Sequence, residues 1–194
     1  MFELQFESAL ANRTAPENIS ISMREISERG MIDLRGLSTD KKFMSAAKSV
    51  LGLDLPKAPR TSASWGDVKA LWLSPDQWLI LCTRSKCSEL LADLQKALGK
   101  THSLAVDVSD MRTIIRIEGD SVRETLMKGS SLDLISADYK AGTVRRMRYA
   151  EIAALLHIVE ENVIDIYVFR SYANYAWDFI AKSARKGAEV KLFR

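Results

Sequence analysis

The sequence predicts an α+β protein built from two β-α-β-β-α units with largely antiparallel sheets. The first observation behind this prediction is an internal similarity. Residues 29–38 (RGMIDLRGLS) recur as residues 112–121 (RTIIRIEGDS), and a Leu-Asp-Leu triplet follows each of them, at 53–55 and at 132–134. The second observation is that helical patterns alternate with pairs of short strands in the same order in both halves. Several matches in one order favour a duplication over chance similarity.

The 194 residues are predicted to form a single unit of two pseudo-repeats, at about 28–99 and 106–186. A chain of this length buries roughly 70% of the surface of its unfolded form, so one sizeable core is feasible without disulfides or metals. Residues 1–20 match neither repeat. They are predicted to form a peripheral N-terminal arm.

Strands are predicted where apolar residues alternate, because successive side chains of a strand point to opposite faces of the sheet. The alternating sets are Leu71 and Leu73; Trp78, Ile80 and Cys82; Ile115 and Ile117; and Ile164, Ile166 and Val168. Short turns at 74–77 and 160–162 join strand pairs and therefore favour antiparallel sheets. Trp72 and Leu79 interrupt the polar face, so their strands are either covered on both sides or in contact with a partner.

Helices are predicted where apolar residues recur with a spacing of three to four. One such stripe contains Leu90, Leu91, Leu94, Ala97 and Leu98. Ser85 is placed to cap this helix and Gly99 is placed to end it. The second repeat has a matching helix behind Ser171, whose apolar stripe contains Tyr172, Ala176, Phe179, Ile180 and Ser183. Residues 121–124 (SVRE) have the pattern of a capping box at the start of a further helix. Residues 56–64, with two prolines, are predicted to form a long exposed loop.

The charge balance gives no indication of a nucleic acid or membrane partner. The chain has 28 Lys and Arg against 25 Asp and Glu, a formal net charge of +3. No apolar run approaches the roughly 18 residues of a membrane span. Acidic residues stand near the N-terminus, where a signal peptide needs positive charge. We therefore expect a cytoplasmic protein.

No residue is predicted to be catalytic, to bind a cofactor or to ligate a metal. The sequence contains neither the G-x-G-x-x-G pattern of dinucleotide folds nor a phosphate-binding P-loop. The only histidines are His102 and His157, and the second lies in an apolar run typical of a packed strand. Cys82 and Cys87 are interpreted as buried, inert thiols. The remaining cluster, Asp107, Ser109 and Asp110, lacks a histidine at a catalytic spacing and is predicted to organise a turn.

Two features are candidates for contact with another protein. Arg145, Arg146 and Arg148 alternate with apolar residues, which is typical of a strand with a solvated face and also suits an anion or partner site. Trp177 is predicted to point away from the apolar stripe of its helix. An outward Trp favours an interface, since Trp contributes strongly to binding energy, although it could instead cover a second core within the chain.

The second half of the chain resembles the sarcosine oxidase gamma subunit family. The resemblance lies in residues 106–109 (VDVS), 126–134 (LMKGSSLDL) and 170–179 (RSYANYAWDF), together with Arg112 and Gly119. Residues 73–79 (LSPDQWL) also match, so the similarity covers roughly residues 28–182. Ser130 stands where many relatives are expected to have Cys. That exchange is compatible with a packing role but not with a redox role.

The resemblance implies a fold similar to the folate-binding domain of aminomethyltransferases, and a non-catalytic gamma subunit in a heterotetramer with alpha, beta and delta subunits. The enzyme would oxidatively demethylate sarcosine to glycine. The resemblance implies no cofactor on this chain, with FAD, FMN, NAD and tetrahydrofolate on the partners. Two alternatives stay open. One is a stand-alone folate-binding, aminomethyltransferase-like protein, and the other is the small subunit of a related N-methyl amino acid dehydrogenase.

Overall fold

The computed structural model describes residues 6–191 and has an α+β architecture, as predicted. These residues form two five-stranded sheets in which the registered strand pairs are antiparallel. The elements in chain order are β1 Ser22–Glu25, β2 Arg29–Gly36, α1 Lys41–Leu51, β3 Ser62–Trp65, β4 Val68–Ser74, β5 Gln77–Thr83, α2 Cys87–Leu98, β6 Ser103–Asp107, β7 Arg112–Glu118, α3 Val122–Met127, β8 Val144–Tyr149, β9 Ile152–Glu160, β10 Val163–Phe169 and α4 Ala173–Ser183.

The chain divides into two compact units. Unit 1 contains the described residues up to Ser27, Arg112–Ala141 and the described residues from Met147 onwards. Unit 2 contains Glu28–Met111 and Gly142–Arg146. The sheet orders are β1-β7-β10-β9-β8 and β3-β4-β5-β2-β6.

In unit 2, helices α1 and α2 cover one face of the sheet. Helix α1 starts at Asp40, whose carboxylate accepts the backbone N–H of Lys42 at 2.8 Å, and it ends at Gly52, which adopts a left-handed φ of 71°. Phe43 on this helix is fully buried beside Trp78 of β5, with ring centroids 5.8 Å apart. A Cβ at position 36 would lie 2.4 Å from the Phe43 ring, so this helix can pack closely only over Gly36.

Unit 1 has its own core beneath α3 and α4. Four isoleucines of this core are fully buried, Ile115 and Ile117 of β7 with Ile164 and Ile166 of β10. Leu10 and Ile19 of the N-terminal segment pack into the same cluster. The predicted N-terminal arm thus contributes to the core where it is described, while residues 1–5 lie outside the described residues. Gly129 permits close contact between Tyr149 and Phe179, whose rings meet edge to face at 5.3 Å, because a Cβ there would approach both rings within 2.7 Å.

The predicted order of strands and helices is confirmed, with one additional strand between the two helices of each unit. In unit 2 the additional strand is β3, so residues 62–64 of the predicted loop are extended backbone, and only 56–61 form a loop. β3 is a short, half-exposed edge strand without apolar alternation, so it gives no sequence signal. In unit 1 the strand beyond the repeat pattern is β8, which the alternation of Arg145, Arg146 and Arg148 had predicted separately. Both predicted turns, at 74–77 and 160–162, are confirmed.

The predicted serine caps are wrong. A short 3-10 turn precedes both α2 and α4, at Arg84–Lys86 and at Arg170–Tyr172. The two helices therefore begin two residues after Ser85 and Ser171. The backbone N–H groups of Cys87 and Ala173 bond to carbonyls within these turns, which supplies acceptors without a side chain. Ser121 makes no capping bond either, and the carboxylate of Glu124 accepts the backbone N–H of Val190 rather than that of Ser121. Gly99 does end α2, as predicted.

Strands β4 and β5 are covered on both faces, which was one of the two possibilities left open by Trp72 and Leu79. Trp78 and Ile80 face the helices, whereas Leu71 and Leu79 lie on the opposite face and are also buried. Trp72 is partly buried.

The prediction that Trp177 faces outwards is wrong. Its side chain is 2% exposed and belongs to the core of unit 1. The buried stripe of α4 consists of Ala173, Ala176, Trp177, Ile180 and Ala181. Tyr172, which was assigned to the stripe, lies in the preceding 3-10 turn and is 46% exposed. The helix presents a narrow apolar stripe of small residues around one large indole, so Trp177 fills the core.

Replacing Trp177 with Ala should lower the free energy of unfolding by about 3–5 kcal/mol, because the change leaves a large cavity in a packed core. Thermal and urea denaturation of the purified chain would measure the loss. The matched control is Asn174→Ala, an exposed position on the same helix, where we expect a change within about 0.5 kcal/mol. A Trp177→Ala chain with wild-type stability would contradict the core placement.

A buried ion pair joins the two central strands of unit 1. Arg116 of β7 donates two hydrogen bonds to Asp165 of β10, Nε to Oδ1 at 2.6 Å and an Nη to Oδ2 at 2.8 Å. Asp165 is 4% exposed. The bond to Asp165 raises the pKa of Arg116. The two residues are directly opposite in the antiparallel register, so the pair fixes that register.

Asp165→Asn should lower the free energy of unfolding by about 1.5–3 kcal/mol, the usual contribution of hydrogen bonds to a charged group. Denaturant titration at neutral pH would measure the loss. The exposed pair of Arg24 and Glu118, 2.6 Å apart, provides the control, since Glu118→Gln should cost less than about 1 kcal/mol. Equal effects of the two substitutions would contradict a structural role specific to the buried pair.

Candidate functional site

The three arginines proposed from sequence lie on β8, and the predicted strand with a solvated face is confirmed. Val144 and Tyr149 are buried at the ends of the strand, while Arg146 and Arg148 are exposed between them and Arg145 is half-buried. Arg148 is paired with Glu151 at 2.5 Å. An interface role for the three arginines stays a prediction, and the pairing with Glu151 disfavours it for Arg148.

The start of β8 forms one side of an open cleft in unit 2. The other side is the end of β4 with its turn, and the loop before β3 passes between them. The cleft has a volume of about 440 Å³ and is lined by Pro59, Arg60, Trp72, Leu73, Ser74, Pro75, Val144, Arg145 and Arg146. We refer to it as the arginine cleft.

Backbone hydrogen bonds explain why the cleft opens at this place. The carbonyl of Thr61 accepts the N–H of Trp72 at 3.1 Å and so continues the pairing of β3 with β4. One residue earlier the chain turns away, because the carbonyl of Arg60 accepts the N–H of Val144 at 2.9 Å. An isolated bridge between Thr61 and Thr143 holds this fork. Arg60, which has a left-handed φ of 66°, is thereby brought to the arginines of β8.

The cleft is cationic, and its arginine and indole N–H groups find no acceptor within the described residues 6–191. Within residues 6–191, the side chains of Arg60, Arg145 and Arg146 make no hydrogen bond and no ion pair. The Nε–H of Arg145 and the Nε1–H of Trp72 are both buried without an acceptor in the same range. No acidic side chain is among the lining residues. Guanidinium groups bind carboxylates and phosphates with paired hydrogen bonds, so the cleft is suited to an anionic ligand.

The serine, aspartate and cysteine cluster is structural, as predicted. The carboxylate of Asp107 accepts two hydrogen bonds from Ser109, one from the backbone N–H at 2.8 Å and one from the hydroxyl at 2.5 Å. The oxygen of the same hydroxyl accepts the backbone N–H of Met31 at 2.9 Å. Asp110 is paired with Arg84 at 2.7 Å. These bonds form the turn between β6 and β7, so the hydroxyl of Ser109 is used in holding the backbone.

Both cysteines are free and buried, in agreement with the sequence interpretation. Burial, followed by the neighbouring Cys87, raises the pKa of the Cys82 thiol to about 12. A thiol with this pKa is protonated at neutral pH and is a poor nucleophile. A Cβ on Gly30 would lie 2.5 Å from the Cβ of Cys87, so the two cysteines pack directly on the backbone of β2.

The histidines are far apart in the chain and differ in environment. His157 is a buried residue of β9, as predicted, and is 4% exposed. His102 is exposed in unit 2, beside a smaller cleft of about 250 Å³. In the part of the chain that the structure describes, no three His, Cys, Asp or Glu side chains are grouped to hold a metal ion.

Ser130, the departure from the expected Cys, has a local structural role. Its hydroxyl accepts the backbone N–H of Leu132 at 3.1 Å and donates to the sulfur of Met147 at 3.6 Å. Such a bond organises the loop that follows α3.

Sequence reasoning missed the exposed aromatic residues next to α4. Phe169, Tyr172 and Tyr175 are between 36% and 46% exposed, and Arg112 lies 4.7 Å from the centre of the Phe169 ring. The available signal was the spacing of Ala173, Ala176 and Ile180. Aligning the buried face of the helix on these three residues places the tyrosines on the exposed side.

No helix within residues 6–191 has the length and hydropathy to cross a membrane.

In sequence, the chain is similar to sarcosine oxidase gamma subunits. Residues 35–186 match the family described as the sarcosine oxidase, gamma subunit family. The sarcosine oxidase subunit gamma of Corynebacterium sp. strain U-96 is 29% identical over 178 residues, which is 88% of this chain and 83% of that protein. The same subunit of Corynebacterium sp. strain P-1 is 28% identical over 116 residues, or 59% of this chain and 56% of that protein.

Solved structures share the fold. A chain of the heterotetrameric sarcosine oxidase from Corynebacterium sp. U-96 superposes with a TM-score of 0.86 at 21% identity, over 96% of this chain and 98% of that chain. The glycine cleavage system aminomethyltransferase T from Bartonella henselae superposes with a TM-score of 0.65 at 11% identity, over 84% of this chain and 46% of that enzyme. The fold expected from the resemblance is therefore confirmed. Because the family match extends over most of its length, the chain belongs to the sarcosine oxidase gamma subunit family.

Proposed function

We propose that this chain is the gamma subunit of a heterotetrameric sarcosine oxidase, in which it supports the complex that oxidatively demethylates sarcosine to glycine. The observation that carries the proposal is the end-to-end match with one chain of such a heterotetramer, which leaves almost none of either chain unmatched. The partners are then the alpha, beta and delta subunits. The complex would work in the cytoplasm.

The cofactors belong to the partners in this proposal. FAD, FMN, NAD and tetrahydrofolate would be bound by the larger subunits, and the methyl carbon of sarcosine would leave as formaldehyde or as methylenetetrahydrofolate. The sequence of this chain supports that division, since it contains neither nucleotide-binding glycine pattern. The protonated Cys82 and the backbone-bound Ser109 support a non-catalytic role.

The stand-alone alternative, a free aminomethyltransferase-like protein, is not favoured. The family model and the curated relatives that match this chain are those of sarcosine oxidase gamma subunits, whereas its likeness to the aminomethyltransferase is one of fold at 11% identity. In this proposal a partner subunit determines whether the complex oxidises sarcosine or another N-methyl amino acid.

A tagged copy of the chain purified from its native host should recover two large flavoprotein subunits, because a gamma subunit is isolated with its complex. Mass spectrometry would identify the partners, and an absorption spectrum would show the flavin bands. Comparing turnover of sarcosine with that of N-methylglutamate by the recovered complex would then identify the amine.

A strain that expresses the tag alone provides the background for this purification. A colourless chain without partners would contradict the proposed function. In that case, calorimetric titration of the same chain with tetrahydrofolate would decide whether it acts as a free folate-binding protein.

A further inference from the structure

We propose that the arginine cleft is the docking site for an acidic, extended segment of a partner subunit. The inference rests on the proposed function, since it assigns a contact within that assembly. Two observations support it. The first is the fork at Thr61, and the second is that the Nε–H of Arg145 and the Nε1–H of Trp72 have no acceptor within residues 6–191.

The first argument is the convergence of charge from distant parts of the chain. Arg60 comes from the loop before β3, whereas Arg145 and Arg146 come from β8, and the bond from Val144 N–H to the Arg60 carbonyl brings the two segments together. Three positive charges around one open cleft repel each other, and their guanidinium groups make no compensating ion pair within residues 6–191. Carboxylates that enter the cleft would relieve this repulsion.

The second argument is the cost of the buried donors. The Nε–H of Arg145 and the indole N–H of Trp72 are shielded from solvent but have no acceptor in the described chain. A buried donor without a partner is destabilising, and more so when it is charged. A carboxylate in the cleft supplies acceptors to both.

The third argument distinguishes a chain segment from a small anion. The cleft is open, and its volume of about 440 Å³ is larger than a single carboxylate or phosphate group requires. Small-molecule pockets usually enclose most of the ligand surface. Here the arginines are accompanied by exposed Pro59 and Pro75 and by the ring of Trp72. Arg and Trp around an open groove are typical of interface hot spots, which suits a segment that combines acidic and apolar side chains.

Charge reversal at two of the arginines tests the proposal. The double variant Arg145→Glu/Arg146→Glu, co-expressed with the partner subunits, should bind them at least about tenfold more weakly than the wild-type chain. Wild-type assembly should weaken between about 50 mM and about 300 mM salt, since screening reduces attraction between exposed charges. Trp72→Phe, which keeps an aromatic ring but removes the indole N–H, should produce a smaller loss.

Arg148→Glu is the matched control. It reverses the same charge on the same strand, but Arg148 lies outside the cleft and is paired with Glu151. This variant should assemble like the wild-type chain. The milder Arg146→Met removes one charge of the cleft at an exposed position, where a substitution is not expected to disturb folding. Circular dichroism melting would verify the folding of every variant.

The outcomes are distinct. A cleft variant that assembles like the wild type overturns the proposal, and so does an equal defect in Arg148→Glu, which would assign the effect to overall charge. Stabilisation of the wild-type chain by inorganic phosphate, lost in the double variant while assembly is unchanged, would identify a small-anion site and also overturn it. A wild-type chain that recovers no partners contradicts the proposed function itself, and this proposal with it.

Discussion

The register of the central strand pairs is the constraint on which the rest of each unit depends. In unit 2, Ile32 of β2 lies opposite Ile80 of β5, and in unit 1, Ile115 of β7 lies opposite Ile166 of β10, with all four side chains fully buried. A shift by one residue would move each apolar set to the opposite face of its sheet. The registers therefore fix which side chains of these strands face the core of each unit.

These central strands are also what the sequence predicts best. Alternating apolar residues specify β4, β5, β7 and β10, because every second side chain of a strand points to the same face of its sheet. The equivalent order of elements in the two units supports the duplication, which stays a prediction. β3 was not predicted because it is held by backbone bonds to β4, with side chains that are partly or fully exposed. Edge strands of this kind depend on their neighbour rather than on their own residues.

The sequence signals for the helix caps and for the buried face of α4 gave wrong predictions, because other parts of the structure decide both. Ser85 and Ser171 have the composition of helix caps, but the 3-10 turns before α2 and α4 already satisfy the first N–H groups. The face of α4 was misjudged because aromatic residues were taken as the core, whereas Ala173 and Ala176 form the buried stripe with Trp177. Small residues lie there because they allow the helix backbone to pack closely on the sheet, while the larger tyrosines are accommodated outside.

The arginine cleft could not be predicted from a sequence pattern, because its residues are far apart in the chain. The alternation in β8 indicated a strand with exposed arginines, but Arg60 lies in a loop more than eighty positions earlier, and only the bridge from Thr61 to Thr143 brings it there. The resulting arrangement is unfavourable for the free chain, since its like charges and buried donors have no partners among residues 6–191. A ligand that binds only the folded chain stabilises it by mass action. A subunit that always occurs in a complex can therefore retain such a cleft, because its partner is present whenever the subunit functions.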